Sequence, residues 1–138
     1  VANSLRTSSG LASAALSFAQ LVAALLLING CPDAEADARV GKRTLAVRLG
    51  PVGAAWAYLG LVLAAHGWLA ASVWLLIPPA TALWGLVSLP LSLAAASLLL
   101  QRAHQPQRLK PALALTVAAT LLHGVGMAAG FALVALQH

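Results

Sequence analysis

Asn29-Gly-Cys-Pro-Asp33-Ala-Glu35-Ala-Asp37-Ala-Arg39-Val-Gly41-Lys42-Arg43-Thr44-Leu-Ala-Val-Arg48-Leu-Gly50 is a polar run set between apolar stretches long enough to cross a bilayer. It holds all three acidic residues of the 138-residue chain and four of its eight basic ones. Carboxylates this scarce and this clustered point to chemistry, since acids that only solvate a surface are dispersed.

Composition sets the class. The chain is 61% hydrophobic and 8% charged, with a mean hydropathy of +0.89. Soluble domains run at about 45–50% apolar and about 25% charged. A domain of this length cannot hide so much apolar surface from water, so an integral protein of the cell (inner or plasma) membrane is expected. The net charge of +5 comes from cations at helix ends. There they serve topology and anionic lipid head groups rather than nucleic acid. The single Cys31 excludes an internal disulfide and fits a reducing, cytosol-facing position. The chain opens on Val1 in a short polar stretch without the ordered regions of a signal peptide. A longer parent protein is therefore expected.

A membrane helix needs about 20 mainly apolar residues. Four such spans are expected, at about 11–28, 52–76, 79–100 and 111–136, making an all-α transmembrane bundle in a single domain, 1–138. Pro78 and Pro79 divide the second span from the third, and Pro90 predicts a kink inside the third. Four spans put loops 30–50 and 101–110 on the same side. Arg39, Lys42, Arg43 and Arg48 lie on the first loop and Arg102, Arg108 and Lys110 on the second, leaving only Arg6 opposite. The positive-inside rule then places the acidic motif in the cytoplasm.

Asp33 and Asp37 are four apart, so a helical turn stacks them on one face, and Asn29 lies a further four back. Glu35 points elsewhere and reaches Arg39 at i+4. Two stacked carboxylates call for a cation between them, and hard oxygen donors favour Mg²⁺, which binds through one or two carboxylates plus substrate phosphates. Gly41 ends the turn, and Lys42 and Arg43 follow with positive charge suited to phosphate oxygens. Three other readings compete. A solvated loop with an i,i+4 ion pair is common. An EF-hand loop fails, because its sixth position is Ala38 and its twelfth Thr44. The short loop of a major-facilitator transporter also fits poorly, because Gly41 lies one residue too far from Asp37.

The pattern Asn29-x-x-x-Asp33-x-Glu35-x-Asp37 with Gly41-Lys-Arg-Thr-Leu-Ala-Val-Arg-Leu-Gly50 resembles the second aspartate-rich motif of the UbiA superfamily of intramembrane prenyltransferases. The Pro32-Asp33 pair, the Gly-Lys-Arg-Thr-Leu run and Ser88-Leu-Pro90 look most like the menaquinone branch, the 1,4-dihydroxy-2-naphthoate polyprenyltransferases. The resemblance implies the C-terminal part of a nine-helix bundle, in which two aspartate motifs face each other across a cavity. It implies Asp33 and Asp37 as catalytic residues and Asn29, Asp33 and Asp37 as Mg²⁺ ligands. Arg39, Lys42 and Arg43 would meet the diphosphate of a polyprenyl donor, and an aromatic acceptor such as 1,4-dihydroxy-2-naphthoate would take the prenyl group. No further Asp or Glu exists to build a first motif, so a missing N-terminal half is expected to carry it. Cys31 stands where the branch often has an aromatic. The alternative is a small membrane scaffold or transporter fragment with a structural acidic loop.

Gln20, His66 and His123 fall inside the spans, where ionisable groups are costly. At about 1.5 Å per residue both histidines lie about 20 Å from the cytoplasmic ends and can meet. Neutral rings hydrogen-bonded between helices are the expected arrangement, with a proton relay as the alternative. Trp56 and Tyr58 suit the cytoplasmic interface and Trp68 and Trp74 the opposite one. Gly124, Gly126 and Gly130 suit close helix packing.

Overall fold

The computed structural model describes residues 2–137. These form helices and turns, with no strand among the described residues. Helix α1 spans Ala2–Gly30, a short α2 spans Ala34–Arg39, and α3 spans Leu45–Trp74. The third crossing begins as a 3-10 helix, Ala80–Ser88, and continues as α4, Leu89–Gln101. A 3-10 turn at Pro106–Arg108 leads to α5, Lys110–Leu136. Four segments are long and apolar enough to cross a membrane: Ser4–Gly30, Leu45–Trp74, Ala80–Gln101 and Lys110–Leu136. The chain is an all-α, integral membrane bundle, as its composition requires.

Several boundaries differ from those expected, each for a local reason. Helix α3 starts at Leu45, not near 52, because Thr44 caps it, its hydroxyl accepting the Val47 N–H at 3.3 Å. The helix then breaks at Gly50 (φ 71, ψ 171) and resumes with Pro51. That backbone region is essentially closed to residues with a Cβ, and proline suits a first helical turn. At its far end α3 stops at Trp74 through a turn in which the Leu76 and Ile77 N–H groups return to Val73 O and Ser72 O. Pro90, expected to kink a continuous third span, instead stands at the start of α4. It has no N–H to give Leu86 O, and that carbonyl takes the Leu89 N–H instead.

The core is Ala-rich and lies in two layers. Toward the acidic loop, Leu21, Ile28, Tyr58, Val62, Leu99 and Leu109 pack together. Toward the other end, Ala14, Leu69, Val73, Ala82 and Met127 form a second cluster with Phe18 and Phe131 against it. Helix α5 lies mainly on the 3-10 segment, and α1 on α3. Tyr58 is not an interface aromatic: it is buried, and its hydroxyl pairs with Thr116 Oγ1 at 2.6 Å. Trp56 and Trp74 are exposed. Trp68 is partly exposed and donates its indole N–H to Ser13 O at 3.1 Å, tying α3 to α1.

Candidate functional site

The polar run folds as a cap over one end of the bundle. Asn29 is the penultimate residue of α1 and exposed, and Pro32 and Asp33 make the turn into α2. The Asp37 N–H donates to Asp33 O at 2.8 Å, which fixes these two residues one helical turn apart on a shared face. Helix α2 buries none of its residues, although the Asp37 side chain is largely covered and held by Lys42. Glu35 lies off that face. It takes Arg39 as its i,i+4 partner, and both side chains are largely exposed.

Helix α2 ends where the sequence puts Gly41. The Gly41 N–H bonds Ala38 O at 3.1 Å and the Lys42 N–H bonds Asp37 O at 2.9 Å, a Schellman turn that needs a left-handed residue. Gly41 supplies it at φ 78. The same turn returns the Lys42 ammonium to the Asp37 carboxylate, Nζ to Oδ1 at 3.1 Å. Replacing Gly41 by Ala is expected to cost about 1–2 kcal/mol of loop stability. Hydrogen exchange of the Lys42 amide should then accelerate, and an unchanged rate would exclude this turn.

The structure therefore brings together Asp33, Asp37 and Lys42, with Arg43 exposed beyond them. It directs Arg39 to Glu35. On its other side α2 borders a cavity of about 370 Å³ lined by Cys31, Ala34, Glu35 and Ala38 from the cap and by Leu99, His104 and Leu109 from the bundle. Burial pushes the Cys31 thiol up from its ordinary value, and its Sγ–H donates to Leu27 O at 3.4 Å.

No three His, Cys, Asp or Glu side chains converge as a metal cage among the described residues. The candidate donors are hard oxygens: Asn29 and Asp33 are exposed, and Asp37 is largely covered with one oxygen on Lys42. Such a set fits Mg²⁺, which keeps several waters and completes its shell with substrate phosphate.

Deeper in the bundle the structure brings His66 and His123 together, ring centroids 5.1 Å apart. The depth of each residue in its helix announced this meeting. Ser88, which bonds both rings, and Ser17, which bonds His123, did not stand out, because serines are unremarkable in membrane spans. Gln20 stays apart from them, and its Oε1 has no partner among the described residues.

An all-helical bundle with four segments long and apolar enough to cross a membrane, capped at one end by an acidic and basic turn, places the chain among intramembrane helical proteins. Residues 1–118 match the family model of the UbiA prenyltransferase family. The chain belongs to that family, whose members are membrane prenyltransferases that generally use Mg²⁺. No curated protein and no solved structure matches the chain.

Proposed function

We propose that this chain carries one diphosphate-binding side of a prenyltransferase of quinone biosynthesis, acting on 1,4-dihydroxy-2-naphthoate in the menaquinone branch. The observation that carries the reading is the Asp33–Asp37 helical turn closed by Gly41 onto Lys42, within the family match. Asn29, Asp33 and Asp37 would hold Mg²⁺, which supplies positive charge against the diphosphate when bound. Lys42 and Arg43 meet the diphosphate oxygens directly. Arg39 joins them by exchanging Glu35 for phosphate, which is inexpensive because an exposed ion pair contributes only about 0–1 kcal/mol. The allylic C–O bond breaks, diphosphate leaves with the electron pair, and an electron-rich ring carbon attacks the cation while the apolar bundle excludes water. The ring then regains aromaticity by releasing what that carbon carried, a proton or its carboxylate as carbon dioxide.

Three carboxylates are few for a polyprenyl diphosphate and its metal ions. A second acidic motif, from a further segment of the parent protein, completes the site in this reading. The purified 138-residue chain is accordingly expected to bind Mg²⁺-diphosphate weakly and to transfer no prenyl group. The branch assignment rests on Pro32-Asp33, the run from Gly41 to Leu45 and Ser88-Leu-Pro90.

The test is binding of a non-hydrolysable polyprenyl diphosphate analogue with Mg²⁺ or with EDTA, followed by product analysis of the active enzyme given 1,4-dihydroxy-2-naphthoate or a phenolic acid. Mg²⁺-dependent binding and a prenylated naphthoate support the reading. Binding indifferent to Mg²⁺ would favour a scaffold whose acidic loop is closed on itself, as the Glu35–Arg39 and Asp37–Lys42 pairs would allow.

The cap faces the cytoplasm in this proposal, because all basic residues except Arg6 lie on it or on loop 101–110. Single cysteines placed at the exposed Ala38 and Gln105, with Cys31 replaced by Ser, should both react with an impermeant thiol reagent from the cytoplasmic side. Reaction from opposite sides would overturn the four-span topology. The native Cys31, half-buried and with its thiol pushed up, should react more slowly than either at neutral pH.

A further inference from the structure

Between the two apolar layers of the core lies a polar one, to which every crossing contributes one residue: Ser17 from α1, His66 from α3, Ser88 from the third span and His123 from α5. All four are buried. Their partners assign the protons. His66 Nδ1 lies 2.8 Å from Val62 O and His123 Nδ1 lies 2.9 Å from Gly85 O. A carbonyl only accepts, so both rings carry their proton on Nδ1, and each Nε2 of a neutral ring must accept. The two serine hydroxyls join the rings. Ser17 Oγ lies 2.8 Å from His123 Nε2 and 2.8 Å from Ala65 O. Ser88 Oγ lies 2.9 Å from His66 Nε2 and 2.9 Å from Gly85 O, so each hydroxyl shares its one proton between a ring nitrogen and a carbonyl. Ser88 Oγ in turn lies 3.1 Å from His123 Nδ1 and accepts there. One connected hydrogen-bond chain results, from Ser17 through His123 and Ser88 to His66 and Val62 O, with Ala65 O and Gly85 O as further acceptors. Every ring nitrogen has a partner in this network. The chain ends on a backbone carbonyl inside α3, which gives a travelling proton no exit and disfavours the relay.

The chain closes on an unusual element. Ala80–Ser88 is a nine-residue 3-10 helix, whereas runs beyond three or four residues are uncommon and often mark hinges or strain. Two of the contacts fall on its last turn, at Gly85 O and at the Ser88 hydroxyl. Pro90 denies Leu86 O its ordinary α-helical partner, and that carbonyl takes the Leu89 N–H instead.

We propose that Ser17, His66, Ser88 and His123 form a neutral clasp that holds the outer half of the third span in its extended 3-10 form, and that opening the clasp lets this half rewind toward α-helix. A 3-10 helix rises about 2.0 Å per residue against about 1.5 Å, so full rewinding shortens nine residues by about 4.5 Å. The far end of that span leads into loop 101–110, whose His104 lines the cavity beside α2. The clasp thereby sets the length of the element beneath the cap.

The test uses the full chain in nanodiscs with Cys31→Ser, spin labels on the exposed positions Ala80→Cys and Gln101→Cys, and pulsed electron-spin distances. The clasp variants are Ser88→Ala and His123→Asn, alone and together. The control is Ser72→Ala, a buried serine whose hydroxyl bonds Leu69 O of its own helix. Shortening by several ångströms in the double variant, with Ser72→Ala unchanged, is expected. An unchanged distance in folded clasp variants overturns the proposal. Nitrogen NMR of the ¹⁵N-histidine wild-type protein at pH 7 tests the clasp without mutation. Both spanning histidines should give the neutral Nδ1–H form, and an Nε2–H or doubly protonated ring at either position would equally overturn it.

Discussion

Replacing Asp37 by Ala in the active enzyme is expected to lower kcat/KM for prenyl transfer by on the order of a thousandfold, the loss typical when a group aimed at developing charge is removed. Asp33→Ala should lose a similar amount, because the Asp37 N–H to Asp33 O bond fixes the two on one face of α2. Asp37 also holds Lys42, so Asp37→Asn provides the control: it keeps the side chain's shape and removes only the charge. Glu35→Ala should cost about fivefold at most, the worth of an exposed ion pair, since Glu35 is paired with Arg39 at the surface. Steady-state kinetics of the four variants would decide it. Equal losses at all three acidic positions would sink the shared-face argument, and near-normal turnover in either aspartate variant would sink the catalytic one.

The sequence announced the acidic face because a four-residue spacing has one meaning on a helix. It announced the number of spans because hydropathy over about 20 residues is a property of the whole segment. Their ends were less legible. Hydropathy does not register a threonine cap or a glycine break, so α3 was expected near 52 although Thr44 and Gly50 mark its true start and its interruption. Tyr58 looked like an interface residue by type and depth. Thr116, the partner that draws it into the core, lies 58 positions away. Arg39 was legible as the partner of Glu35. The return of Lys42 to Asp37 was not, because the left-handed turn at Gly41 sets that contact rather than any helical spacing.

The 3-10 form of Ala80–Ser88 was invisible locally, because what permits it lies in α5. A Cβ on Gly126 would sit 2.6 Å from Trp84 O, and one on Gly130 would press still harder on Thr81 O. Thr81 seals the contact by donating its hydroxyl to Gly130 O at 2.7 Å. Both obstructions are backbone, which cannot rotate aside as a side chain would. Gly126→Ala and Gly130→Ala are therefore expected to destabilise the bundle by about 1–3 kcal/mol each, and leucine at either position by more. Gly60 and Gly67 in α3 give the opposite expectation. Among the described residues, nothing lies within 4 Å of the point a Cβ would occupy at either position. There alanine only improves helix propensity, by up to about 1 kcal/mol. Unfolding of the four alanine variants in mixed micelles, compared with the parent chain, should separate them by sign. The same substitution, glycine to alanine in a membrane helix, would weaken α5 where it touches the 3-10 backbone and strengthen α3 where it touches nothing. A uniform response across the four would mean that α5 does not lie against the third span as described, and the clasp would lose the packing that positions His123 beneath Gly85.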